Sequence, residues 1–263
     1  MELDDAYANA AYIPRADAFP SRWAKAAADF RDALGDKAEC DVSYGPSQRQ
    51  VYDLFRPDGP SRGLFVFVHG GYWLRFDKSF WSHLAAGMRD TGWTVAMPSY
   101  DLCPGVRIAD ITKQIATAIG AMAARVDGPI ILAGHSAGGH LVARMACKGV
   151  LPDDLAARLV YIMPISPVAD LRPLLRTSMN DSFAMSEADA IAESPALISD
   201  RHEVPATVWV GADERPAFLD QARWLGDAWG APVVVDRGKH HFDVIDALAD
   251  SGGSMVQKLT QIE

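Results

Sequence analysis

Gly134-His135-Ser136-Ala137-Gly138 sets a serine between two glycines, and its flanks give that serine a strand before and a helix after. Ile130 to Ala133 form a short apolar run of the kind buried on both faces of a sheet. His140 to Cys147 carry an apolar periodicity that suits a helix. Strand, G-x-S-x-G and helix in that order predict a nucleophile elbow. The glycines are required because side chains at positions 134 and 138 would meet the neighbouring strand and helix. Ser136 then offers its hydroxyl at a helix N-terminus, where amides favour a developing negative charge.

A serine hydroxyl attacks poorly until an imidazole takes its proton, and that imidazole needs a carboxylate to fix its tautomer. Both partners should follow Ser136 in the chain, in the order acid then histidine, each beyond a strand's carboxyl end. The strand Thr207 to Val210 leads into Gly211-Ala212-Asp213-Glu214, and Val233 to Val235 leads into Lys239-His240-His241-Phe242-Asp243. His241 is favoured over His240 because it directly precedes the apolar residue that opens the last helices. Glu214 is favoured as the acid from its place three residues after the glycine, and Asp213 stays open as the alternative. Either carboxylate could instead be a surface group paired with Arg215. His69-Gly70-Gly71 follows the strand Leu64 to Val68; amides of Gly70 and Gly71, with that of Ala137, are candidates for an oxyanion hole.

The elements that must carry these residues alternate strand and helix after an opening hairpin, Cys40–Tyr44 with Gln50–Phe55. That alternation predicts a mostly parallel sheet with helices on both faces. One domain is expected over residues 1–263, with a helical N-terminal extension at 1–35 and a helical lid inserted at 169–200. Within the extension, Ser21 is read as the N-cap of a helix from Arg22 to Leu34. A last helix is read from Ser254 to Ile262.

Composition excludes other classes. The 263 residues carry a net charge of −9 with no basic stripe, so a nucleic-acid partner is not expected. No membrane span or secretory signal is read, and Cys40, Cys103 and Cys147 match no ligand or redox motif. Reduced thiols in a cytoplasmic protein are the expectation, with neither metal nor cofactor. A small molecule is the expected partner, and a homodimer is compatible with the sequence.

With these residues in hand, the chain resembles the α/β-hydrolase superfamily over nearly its full length. His69-Gly70-Gly71-Tyr72-Trp73, Tyr100-Asp101-Leu102-Cys103-Pro104, the elbow and His241-Phe242-Asp243 together resemble the kynurenine formamidase (arylformamidase) family. That family's acid lies in a D-S-P-x-F run, which here reads Glu214-Arg215-Pro216-Ala217-Phe218, one methylene longer at the acid. The resemblance implies hydrolysis of N-formyl-L-kynurenine to kynurenine and formate through a formyl-enzyme. A short-chain carboxylesterase is the alternative, and a non-catalytic binding protein on the same fold a remoter one. An aromatic leaving group calls for an aromatic wall, for which Tyr72 and Trp73, with Phe80 and Trp81, are candidates. An amino-acid carboxylate wants a cation or amide: Arg75, Arg172, Arg176 or Asn180.

Overall fold

In the computed structural model, which describes residues 1–261, eight strands form one sheet in the order β1-β2-β4-β3-β5-β6-β7-β8. These are β1 (Ala38–Ser43), β2 (Val51–Phe55), β3 (Leu64–Val68), β4 (Thr94–Pro98), β5 (Ile130–His135), β6 (Leu159–Ile165), β7 (Val208–Gly211) and β8 (Val233–Asp236). β1 and β2 are the antiparallel hairpin, and β3 to β8 run parallel.

β3 and β5 are buried at every position because both faces are covered. Alternate residues serve different layers. Leu64, Val66 and Val68 join the core under the helices Ile108–Ala123, Ala137–Arg144 and Pro216–Trp229. Phe65 and Phe67 face the other core, shared with Phe19–Leu34 and with Val244 to Leu259. Crossovers return to the parallel edge each time, so the loops after β3, β5, β6, β7 and β8 gather at one end of the sheet.

Three expectations about helices change. The first long helix begins at Phe19, with Pro20 in its first turn, and Ser21 donates its hydroxyl to Ala18 rather than capping. Proline is preorganised for a first turn and lacks the N–H that would need a partner, which moves the start forward. The stretch from about Ser79 to Asp90, which the sequence suggests is one helix, forms two 3₁₀ turns, Lys78–Phe80 and Ser82–Ala85, and a short helix, Ala86–Asp90. The last helix spans Ser254–Thr260; the expected end at Ile262 lies outside the described residues. No described helix is long and apolar enough to cross a membrane. Cys103 and Cys147 are buried thiols and Cys40 is exposed, all three unpaired.

Buried imidazoles make the fold sensitive to acid. Burial lowers the pKa of His69 and of His140 to about 4 from 6.5. His69 donates Nδ1–H to the Gly70 carbonyl and His140 donates Nε2–H to that of Glu193; the second nitrogen of each ring has no partner among the described residues. Between those two pKa values the unfolded chain binds more protons than the folded one, so this stability is present above pH 6.5 and is lost as pH falls toward 4. Urea midpoints should therefore drop from pH 7.5 to pH 5; equal midpoints would contradict the buried neutral rings.

Candidate active site

Ser136 lies between β5 and the helix Ala137–Arg144 with φ 56° and ψ −116°, a backbone conformation that non-glycine residues rarely hold. Its amide donates to Ile165 at the end of β6, which ties the turn to the adjacent strand. The flanking glycines are enforced by backbone: a Cβ at Gly134 would sit 2.2 Å from the Gly138 carbonyl oxygen, and one at Gly138 would sit 2.0 Å from that of Val68. Strain of this kind persists only where surrounding contacts over-determine it, and it clusters at functional positions.

Glu214, in the turn after β7, has a fully buried carboxylate. Its Oε2 accepts Nδ1–H of His241 at 2.6 Å, while Oε1 accepts the Gly211 amide at 2.9 Å and the Ser166 hydroxyl. Three donors on one carboxylate fix its rotamer. Asp213, its neighbour, is exposed. Arg215 pairs with Asp5 instead of either acid, its guanidinium 3.6 Å from the Tyr12 ring. The two histidines separate as cleanly. His241 is buried, with ring centroids 4.4 Å from Phe218 and 4.6 Å from His135. His240 is held by Asp243 and packs on Phe19.

Ser136, His241, Gly70 and Gly71 line one cavity of about 870 Å³. Ser136 and His241 share it without a hydrogen bond between their side chains among the described residues. Such contacts are often long without substrate and tighten when it binds. The amides of Gly70, Gly71 and Ala137 have no acceptor among the described hydrogen bonds, as donors awaiting an oxyanion would. Tyr100 supports this loop from beneath, stacked on His69 at 4.4 Å and donating to the His69 carbonyl. A Cβ at Gly70 would lie 2.8 Å from the His135 carbonyl oxygen and 3.0 Å from the Ser136 Cβ. Gly70→Ala is thus expected to displace both donor and serine and to cut kcat by about 10²–10³-fold. Wild-type kcat in a correctly folded variant would separate this loop from the chemistry.

The aromatic wall differs from the expected one. Trp73 is fully buried, packed edge-on against His140 and Phe183, and does not reach the cavity. Gly71, Tyr72 and Trp73 all have positive φ, at 119°, 56° and 57°, and along this tight turn Tyr72 lies beside the cavity while Trp73 enters the core. Phe80 also stays outside the lining, whereas Trp81, Trp23 and Phe76 form a cluster with centroid separations of 4.6–6.1 Å along it. Tyr72 donates its hydroxyl to the Tyr7 carbonyl and accepts from Asn9. Residues 4–23 of the N-terminal extension supply about half of the lining, while segment 169–200 contributes Ser178 and Met179.

Two features escaped sequence reasoning. Ser166, with φ 46°, supports Glu214 from the end of β6; its only sequence signal is a polar residue ending a buried strand. The covering role of residues 4–23 left no periodic trace. A serine in a strained strand-to-helix turn, with a buried imidazole–carboxylate pair carried on later strands of a parallel sheet, defines the class as an α/β-type hydrolase. The sequence pattern of the alpha/beta hydrolase fold matches residues 65–215, more than half of the chain. The chain belongs to the alpha/beta hydrolase fold family.

Its relatives narrow the comparison. The crystal structure of a protein from Silicibacter sp. TM1040, provisionally named a thioesterase, is 59% identical, with a TM-score of 0.97 over 98% of each chain. The kynurenine formamidase of Danio rerio is 25% identical over 238 residues, covering 84% of this chain and 80% of that protein. That of Drosophila melanogaster is 26% identical over 248 residues, with the same coverage.

Proposed function

We propose that this hydrolase cleaves aryl formamides of the N-formyl-L-kynurenine type through a serine-bound formyl intermediate. Ser136 attacks the formyl carbon as His241 takes its proton, and Glu214 holds His241 in the tautomer that can accept it. The amides of Gly70, Gly71 and Ala137 hold the oxyanion. His241 then protonates the departing arylamine, and a water activated by the same imidazole releases formate. Residues 4–23 act as the cover on the leaving-group side, with segment 169–200 a minor part of it.

The observation that carries this reading is the asymmetry of the cavity. The end beside Ser136 is glycine and imidazole, and the remainder is walled by Tyr72, Phe76 and Trp81 with the N-terminal segment. A one-carbon acyl group and a flat aromatic leaving group fit that division. The kynurenine formamidases of fish and fly point the same way. A second reading, hydrolysis of short thioesters or esters, is favoured by the 59% identity to the provisionally named thioesterase.

Turnover of N-formylkynurenine, acetyl and butyryl p-nitrophenyl esters and short acyl-coenzyme A thioesters, measured side by side, decides between them. The formamide is expected to exceed the others in kcat/KM by at least about tenfold, or ~1.4 kcal/mol of transition-state preference. Preference for a thioester would replace this reading with the second.

A further inference from the structure

We infer that Arg75 and Arg15 form a carboxylate-binding subsite at the mouth of the cavity, selecting leaving groups that carry an amino-acid head. The inference rests on the proposed cleavage at Ser136 and adds what the leaving group must bear. Of the four groups that could hold a carboxylate on sequence grounds, three are engaged elsewhere. Arg172 is bidentate on Asp170, Arg176 pairs with Glu2, and the Asn180 side chain closes a loop on the backbone of Met185. Arg75 lines the cavity and is exposed, and its side chain makes no hydrogen bond or ion pair among the described residues.

That freedom is uncommon here. Among the described arginines, only the side chains of Arg15, Arg22, Arg75 and Arg237 lack both kinds of partner, and two of these four line the same cavity. In a chain of net charge −9, two guanidinium groups at one opening with no ion-pair partner among the described residues remain available to an incoming anion. Guanidinium is also the group best matched to a carboxylate, through two parallel N–H donors.

Placement supports the assignment. The Arg75 amide donates to the Gly71 carbonyl, and the Arg75 carbonyl oxygen lies 2.3 Å from where a Gly71 Cβ would be. The Arg75 backbone is thus built into the same tight turn as the candidate oxyanion donors, so its side chain starts from a fixed point beside them. Arg15 approaches from the N-terminal cover. Of the acids on this lining, Asp4 is occupied by the N-terminal ammonium and the Ser178 amide. Asp17 has no ion pair among the described residues and suits the ammonium of the same zwitterion.

The test uses matched pairs that differ by the carboxylate alone. N-formylkynurenine is compared with N-formylkynuramine as substrates, in the wild type and in the Arg15→Ala/Arg75→Ala double variant. The wild type is expected to favour the carboxylated substrate, and the double variant to lose that preference by tenfold or more, mainly through KM. Equal loss on both substrates, or no loss, overturns the subsite.

Inhibition of p-nitrophenyl acetate hydrolysis by kynurenine and by kynuramine reads the same subsite without formamide turnover. If formamides are not cleaved but kynurenine inhibits better than kynuramine in the wild type alone, the formamidase reading fails and the subsite stands. If phosphopantetheine inhibits better than pantetheine through these arginines while kynurenine does not, the anion is a phosphate and the carboxylate assignment is overturned.

Discussion

Ser136→Ala is expected to lower kcat/KM by about 10⁴-fold or more on any substrate the enzyme turns over, while the protein folds as before. The hydroxyl makes no side-chain hydrogen bond among the described residues, so its removal leaves no buried partner orphaned. Alanine keeps the Cβ, and with it the strain of φ 56°. Ser136→Gly should be equally inactive yet relieve that strain, of order 1–3 kcal/mol, offset by about 0.5–1 kcal/mol of added unfolded-chain freedom. The pair therefore separates chemistry from architecture: neither variant turns over, and the glycine variant melts higher. Substantial residual turnover in Ser136→Ala would assign the nucleophile elsewhere.

Glu214→Gln should cost about 10⁴-fold in kcat, by a different route. Glutamine is nearly isosteric, and its carbonyl oxygen can keep the Ser166 and Gly211 donors. Its NH₂ then faces His241 Nδ1, which must become an acceptor, so the proton moves to the nitrogen that should receive the one from Ser136. Structure survives and the base is lost. Glu214→Ala is harsher, because the Ser166 hydroxyl and Gly211 amide are left buried without an acceptor at about 1–3 kcal/mol each. Asp213→Asn changes a solvent-exposed group and serves as the control. Equal loss in Asp213→Asn and Glu214→Gln would undo the choice between the two acids. Steady-state kinetics with thermal melts on the three variants measure all of this.

The parts of this molecule readable from sequence are those where backbone sterics leave little choice. Gly134 and Gly138 are dictated by carbonyl oxygens about 2 Å from any added Cβ, so the elbow carries a sequence signature. The fully buried strands β3 and β5 are short apolar runs for an equally simple reason. What stayed open depended on which way a loop turns. Asp213 and Glu214 are one residue apart, and only the path after Gly211 decides which enters the interior. Tyr72 and Trp73 both read as substrate wall, yet a turn with positive φ at three successive residues, Gly71 to Trp73, separates them, one to the cavity and one to the core. Ser166 was invisible because its partner lies 48 residues away, and nothing in a strand's pattern announces the acceptor beyond its end.

The N-terminal cover has a consequence for how the protein is made. Tyr7 accepts a hydrogen bond from Gln221 and packs edge-on against Phe218, and Phe19 rests on His240 and Phe242. A ribosome releases residues 4–23 about two hundred residues ahead of those partners, so the earlier segment must wait undocked while the residues between are made. Nascent chains stalled before Phe218 hold a formed sheet centre but no roofed chamber, and turnover should emerge only once Phe242 has left the ribosome.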